Sequence, residues 1–237
     1  MNYNPALHAN PPKMTRDFET LVFCTSYVAG QGDWVARYER WLNHHAALPF
    51  ERAIFCMIDD ASRYRTDQVK VQTIDIGQPF PVPPLRPLMV RFGNRLRRSA
   101  VDRYPGWWRS FLFSVLVARN YRCSKIVHIE SDAYVLSRRM VDFINSRKSG
   151  WTAFWCPRWN FPETGIQVVC EDQFDRMRGM WDAGWERHVG QYAERLLPFT
   201  DIVKDPHGNR YGEFRTKIPG FADFAMQGGP AHKVWFK

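Results

Sequence analysis

The octet Lys125-Ile126-Val127-His128-Ile129-Glu130-Ser131-Asp132 is an apolar run whose C-terminal end carries two carboxylates two positions apart. Side chains at i and i+2 of a strand project to the same face, so Glu130 and Asp132 can converge on one cation or on a polar substrate. His128 shares that face. Carboxylate oxygens suit a hard divalent ion, manganese or magnesium, which takes few protein carboxylates when phosphate oxygens and water complete its octahedron. A solvated acidic strand end competes with this reading, because acidic residues commonly mark where a strand meets a loop. A zinc deaminase reading of His128-x-Glu130 needs a Pro-Cys-x-x-Cys pair as well, and no C-x-x-C occurs in the chain.

These residues need a scaffold, and the pattern along the chain supplies one. Thr20 to Tyr27 reads as a strand, followed by the Gly30-Gln31-Gly32 turn and by Asp33 as a helix N-cap. Trp34, Val35, Tyr38, Trp41 and Leu42 then recur at helical spacing through Leu48. A second strand at Arg52 to Asp59 and a third at Val69 to Ile76 follow, and strand, helix, strand in this order favours parallel pairing through a crossover. Five prolines between Gly77 and Pro87 enforce a long loop. A helix from about Trp107 to Asn120 delivers the chain into the carboxylate strand. Beyond Asp132 we expect a short helix at Arg138 to Ser146, strands at Trp151 to Cys156 and Ile166 to Cys170, and an interrupted helical stretch from Asp172 to Leu197. The fold class is therefore α/β, a mostly parallel central sheet flanked by helices. Ligands of such sheets bind outside the carboxyl ends of the strands. Three of these ends are polar: Thr25-Ser26-Tyr27, Asp59-Asp60-Ala61-Ser62 and Glu130-Ser131-Asp132.

The chain has 237 residues, 45% of them hydrophobic. That is enough for a substantial core, and we expect one domain over residues 19–237 behind a disordered tail at 1–18. Cys24, Cys56, Cys123, Cys156 and Cys170 are odd in number and lack ligand spacing, which favours buried reduced thiols and a cytoplasmic compartment. No apolar run is long enough to span a bilayer. The net charge of +9 implies an anionic partner, and the arginines are densest from Arg86 to Arg109. A solvated basic face is the plain alternative for them.

The strand ending in Thr25-Ser26-Tyr27, the strand ending in Asp59-Asp60-Ala61-Ser62, and the helix leading into Glu130-Ser131-Asp132 together resemble the GT-A nucleotide-sugar glycosyltransferases. The last triplet is similar to that family's Asp-x-Asp motif, with Glu in the first position. The resemblance covers roughly Thr20 to Val135. It implies a GT-A-like, Rossmann-type sheet, a nucleotide-sugar donor, a glycan or lipid-linked acceptor and a divalent metal. It makes Asp132 the metal ligand, puts Glu130 on the donor ribose or on the same ion, and has Thr25, Ser26, Tyr27, Asp59 and Asp60 line the donor site. A C-terminal histidine often completes the shell in such enzymes, which makes His232 the candidate and His207 the alternative, with Lys233 and an arginine from Arg91 to Arg109 assisting the departing diphosphate. An inverting enzyme also needs a carboxylate base. The resemblance points to Glu194, with Glu163, Glu171, Asp172 and Asp182 as alternatives. It also places Trp151, Trp155 and Trp159 toward the acceptor, where aromatic faces can stack on sugar rings, although large aromatics are more often core.

Two other functions compete. A nucleotidyltransferase acting on sugar phosphates wants a Gly-rich phosphate loop with a Lys or Arg near the first strand, for which Gly30-Gln31-Gly32-Asp33 is a poor substitute. A basic aromatic nucleic-acid-binding module would fit charge and tryptophan content, but no motif for it occurs, so no nucleic acid is expected. A peripheral contact with the inner face of the membrane through the basic region would suit a lipid-linked acceptor, although no amphipathic helix compels it.

Overall fold

The computed structural model describes residues 17–64, 71–84, 86–96, 100, 103–213 and 217–227. Eight strands form the main sheet: β1 (Thr20–Ser26), β2 (Ala53–Asp59), β3 (Gln72–Asp75), β4 (Leu88–Arg91), β5 (Lys125–Ile129), β7 (Trp151–Cys156), β8 (Phe161–Cys170) and β9 (Asp201–Val203). Their order is β3-β4-β2-β1-β5-β8-β7-β9. Every pairing is parallel except those of β8, which runs against both β5 and β7. A small sheet of β10 (Gly208–Asn209), β11 (Phe224–Ala225) and β6 (Tyr134–Val135) lies beyond. The architecture is the mixed, mostly parallel α/β sheet flanked by helices that the sequence predicts.

Successive β1 residues enter opposite layers. Leu21 and Phe23 pack in a core with Trp108, Phe111 and Val115 of α3 (Pro105–Asn120), beside α5 (Phe174–Asp182). Val22 and Cys24 pack in a second core with Trp34, Tyr38, Trp41 and Met140. The helical residues of that second layer belong to α1 (Gln31–Trp34), a π-helical turn (Val35–Glu39), α2 (Arg40–Ala46) and α4 (Arg138–Ser146). Burial on both faces is why these strands read as unbroken apolar runs. All five cysteines are buried free thiols. Among the described residues, no helix is long and apolar enough to cross a membrane.

Three boundaries differ from the sequence reading, each for a local reason. The first helix starts at Gln31, and Asp33 stands in its first turn, where its Oδ2 accepts the Ala29 N–H at 3.3 Å. The third strand covers Gln72–Asp75 and ends before Ile76, which already lies in the turn at Gly77, while Val69 lies outside the described residues. β8 begins at Phe161, five residues earlier than its apolar part, because Pro162 and Gly165 are loop formers in sequence yet sit here beside a bulge.

Candidate functional site

The carboxyl ends of β1, β2 and β5 meet at one sheet edge, and the reversed β8 brings its own first residues to that edge. A cavity of about 290 Å³ opens there, lined by Thr25, Ser26 and Tyr27 from the β1 end, Asp60 from the β2 end, and Gly106, Trp107 and Ser110 from the start of α3, with Arg95 and Tyr104 at its side. The Arg95 guanidinium lies 3.2 Å from the centre of the Tyr27 ring. Ser110 Oγ is buried in this wall and has no hydrogen-bond partner among the described residues.

The two aspartates that end β2 have separate duties. Asp59 is fully buried and accepts from Tyr38 Oη (2.8 Å), from the Ser62 N–H (2.7 Å) and from the Ser62 hydroxyl. Arg91 Nε stands 3.8 Å from its Oδ1. These contacts hold the loop after β2, so Asp59 acts on the site through its neighbours. Asp60 faces the cavity and accepts from Arg109 Nη2 at 2.5 Å. Arg109 also donates to Asn94 and lies over the Phe92 ring at 3.8 Å. Burial pulls its basicity down, and the Asp60 charge opposes that pull.

Gly106 lets α3 begin against this pair. A Cβ there would stand 2.5 Å from Asp60 Oδ2, and Asp60 is pinned by Arg109 and accepts weakly from the Leu96 N–H at 3.3 Å. Gly106→Ala is expected to lower stability by about 1–3 kcal/mol through overpacking. Thermal unfolding of the variant checks this, and an unchanged melting temperature would reject the packing argument.

Beside the cavity lies a carboxylate centre. Trp107 bridges the two, donating its indole N–H to Glu130 Oε1 at 3.0 Å while its ring stacks on Phe111 at 4.7 Å. Glu130 is pushed up to about 8, by burial first and then by the charges of Asp132, Glu163 and Glu194. Burial also raises Asp132, against the Arg37 charge, whose Nη1 is 3.7 Å from Asp132 Oδ2. The same nitrogen donates to Ser131 Oγ at 3.3 Å, and Ser131 donates to Ser26 Oγ at 3.2 Å, joining the β5 and β1 ends. His128 is buried among Phe23, Trp107 and Phe111, its Nδ1 3.1 Å from the Thr164 carbonyl. Burial drives it down to about 3, so it packs as a neutral ring beneath the acids.

Two backbone irregularities aim these groups. In the π-helical turn the consecutive residues Arg37 and Tyr38 reach Asp132 and Asp59, a turn type that recurs at functional sites. In β8 the pairing with β7 jumps from Gln167 to Glu163, which leaves Thr164, Gly165 and Ile166 as a bulge. Glu163 caps that bulge, its Oε1 accepting from the N–H groups of Thr164 (3.0 Å) and Gly165 (3.1 Å), and it holds Arg210 at 2.5 Å. Thr164 Oγ1 donates to Glu194 Oε1 at 3.0 Å. Glu194 is raised, chiefly by burial. A Cβ on Gly165 would lie 3.0 Å from Met226 Sδ and in ordinary contact with Glu163 Oε1 (3.5 Å) and Glu130 Oε2 (3.6 Å).

The structure thus gathers Thr25, Ser26, Tyr27, Asp60, Glu130, Asp132 and Glu194 at one edge, with Asp59 just beneath. His232 and Lys233 lie outside the described residues. His207 follows β9, with hydrogen bonds to Lys204 and Asp223. Glu171 and Asp172 follow the far end of β8, at the opposite sheet edge, and Asp182 pairs with Arg178 on α5 at 2.7 Å. Trp151 is fully buried, donating to Gln167 at 2.9 Å. Trp107, Arg37, Ser110 and Arg210 escape the sequence reading, because their spacing within the chain carries no sign of the site.

Among the described residues, no group of three or more His, Cys, Asp or Glu side chains is arranged to hold a metal ion. Glu130 and Asp132 still fit a hard divalent ion, which needs one or two carboxylates when phosphate oxygens and water supply the rest. Burial raises the proton affinity of both, neighbouring acids add to it at Glu130, and a bound cation would favour the ionised forms.

No family model and no curated protein matches the chain in sequence. Solved structures do match. A glycosyltransferase involved in the glycosylation of the major capsid of PBCV-1 aligns over 89% of this chain and 93% of its own, at 12% identity and a TM-score of 0.47. The glycosyltransferase GlyE of Streptococcus pneumoniae TIGR4, in its apo form, aligns over 90% of this chain at 10% identity and a TM-score of 0.52. This chain spans about half of GlyE, 55% of its length. At such identity the likeness is one of fold alone, and the chain shares the fold of the aligned part of GlyE.

Proposed function

We propose that the chain is a GT-A-type glycosyltransferase that moves a sugar from a nucleoside diphosphate donor to a glycan or lipid-linked acceptor with the help of a divalent metal, manganese or magnesium. The observation that carries the reading is the junction of the cavity with the Glu130 and Asp132 carboxylates through Trp107. The cavity takes the nucleoside, with Ser110 Oγ and the strand-end hydroxyls of Thr25 and Ser26 as polar contacts. Asp132, with Glu130 beside it, would hold the ion. A divalent ion held there would supply positive charge to the diphosphate as the glycosidic bond to it breaks.

In an inverting reaction Glu194 takes the proton of the acceptor hydroxyl, the hydroxyl oxygen bonds to the anomeric carbon, and the bond to the diphosphate oxygen gives its electron pair to the leaving nucleoside diphosphate. Burial raises Glu194 toward the working pH, which makes its carboxylate a better base. Trp107 keeps Glu130 oriented, and Arg37 steadies Asp132. The test is thermal shift with a panel of nucleoside diphosphates, with manganese or with chelator. A rise of several degrees that needs both nucleotide and manganese is expected. Equal shifts in chelator would remove the metal, and no shift with any nucleotide would remove the donor class.

A further inference from the structure

We infer that Thr164 is a positioning residue for sugar transfer, its hydroxyl holding one carboxylate oxygen of Glu194 so that the other is left for the acceptor's proton. The inference rests on Glu194 being the base of an inverting reaction and names what fixes that base in place. Glu194 belongs to α6 (Ala193–Leu196), a single helical turn, and its side chain is half-buried. One turn of helix has little rigidity of its own, so a carboxylate carried on it needs an anchor from outside. Thr164, buried in the β8 bulge, supplies that anchor by donating its Oγ1 hydrogen to Glu194 Oε1 at 3.0 Å.

The anchor is itself held at every polar atom. The Thr164 N–H donates to Glu163 Oε1 at 3.0 Å, and its carbonyl accepts from His128 Nδ1 at 3.1 Å and from Gln167 Nε2 at 2.8 Å. A carbonyl only accepts, so the ring hydrogen of His128 sits on Nδ1. Gln167 is turned the same way from its other end, where Oε1 accepts from the Trp151 indole, a group that only donates, at 2.9 Å. His128, Gln167 and Trp151 are all fully buried. Thr164 is thus rooted in β5 through His128 and in β7 through Gln167 and Trp151, which gives the neutral ring beneath the acids a task. In the transfer, the acceptor hydroxyl gives its proton to Glu194 Oε2, its oxygen bonds to the anomeric carbon, and the nucleoside diphosphate leaves with the electron pair of the bond that breaks. Oε1 keeps its hydrogen bond from Thr164 before and after, so the carboxyl does not turn as it changes charge.

The test is release of nucleoside diphosphate from a panel of nucleotide sugars in manganese, with water as the acceptor. It compares wild type, Thr164→Val, Thr164→Ser, Glu194→Gln and the double variant Thr164→Val with Glu194→Gln, each with its melting temperature. Thr164→Val keeps the shape and loses the hydroxyl, and its kcat is expected to fall by about ten- to a hundredfold. Its KM for the donor should not change, because Thr164 stands apart from the cavity lining. Thr164→Ser, which keeps the hydroxyl, should retain most of the rate, and Thr164→Val should cost nothing further once Glu194 is Gln. A wild-type rate in Thr164→Val overturns the inference. So does a Thr164→Ser no faster than Thr164→Val, or a further loss in the double variant, since either result makes Thr164 a packing residue of the bulge. A wild-type rate in Glu194→Gln, or no release by the wild type, instead removes the base or the donor class, and the inference falls with it.

Discussion

Glu130→Gln should raise the melting temperature of metal-free protein at pH 8 by roughly 5 °C while lowering sugar transfer by about two to three orders of magnitude. The stability half follows from where the proton sits. In the unfolded chain the carboxyl titrates near its ordinary 4.5, and in the fold it is pushed up to about 8, by burial and by the neighbouring acids. Below pH 4.5 both states hold the proton and the group contributes no pH dependence. Between 4.5 and 8 the unfolded state gives the proton up while the folded state keeps it, so stability falls as pH rises, by an amount on the order of a few kcal/mol in total. Above 8 the loss is complete. The amide cannot ionise, still accepts from the Trp107 indole, and so escapes the loss. The activity half follows because the same carboxylate belongs to the proposed metal shell. Melting curves in chelator at pH 5 and pH 8, with transfer assays at pH 8, check the pair. The stabilising difference should be small at pH 5 and large at pH 8, and a destabilised variant at pH 8 would sink the electrostatic account.

Arg109→Ala should be the most damaging single change behind the cavity, where it holds the lining residue Asp60. The side chain is 5% exposed and answers the Asp60 carboxylate, the Asn94 side chain and the Asn94 carbonyl. Removing it takes from Asp60, buried beside the first turn of α3, the guanidinium bonded to it, a loss of about 3–5 kcal/mol. For a chain of this length the melting temperature should fall by on the order of 10 °C. Replacing both partners, Asp60→Leu with Arg109→Met, should recover most of that stability while nucleoside diphosphate binding stays lost, since Asp60 lines the cavity. Calorimetry on the single and double variants decides the matter. A double variant no more stable than Arg109→Ala would show that packing against Phe92, rather than charge pairing, is what Arg109 contributes.

The sequence carries the strands and the order of the helices because both are written in local periodicity, and it carries the three polar strand ends because a parallel sheet must bring them together. Asp60, Glu130 and Asp132 are legible for that reason. Asp59 shows the limit of the argument: it sits at a strand end like the others, yet the pleat turns its carboxylate inward to Tyr38 and Ser62. Trp107 reads as one more aromatic on an apolar helix, and its bond to Glu130 is set by a tertiary distance that spacing does not encode. Glu163 is hidden differently. Its place depends on the bulge that follows it, and Pro162 and Gly165 make that segment look like a loop.

The π-helical turn at Val35–Glu39 has a consequence for how this chain can change over time. One extra residue in a helix offsets everything before it from everything after it by about 100° around the axis. Upstream of the turn, Trp34 answers to the core. Downstream, Trp41, Leu42 and His45 answer to the same core. Between them Ala36 and Tyr38 are buried as well, and the turn lets the consecutive Arg37 and Tyr38 reach two different strand ends. A one-residue deletion within the turn would therefore move Arg37 and Tyr38 off the strand ends they reach and would displace the buried Tyr38 ring from its core as well. Length change at this point is therefore opposed twice, by the site that loses its alignment and by the core that loses a ring.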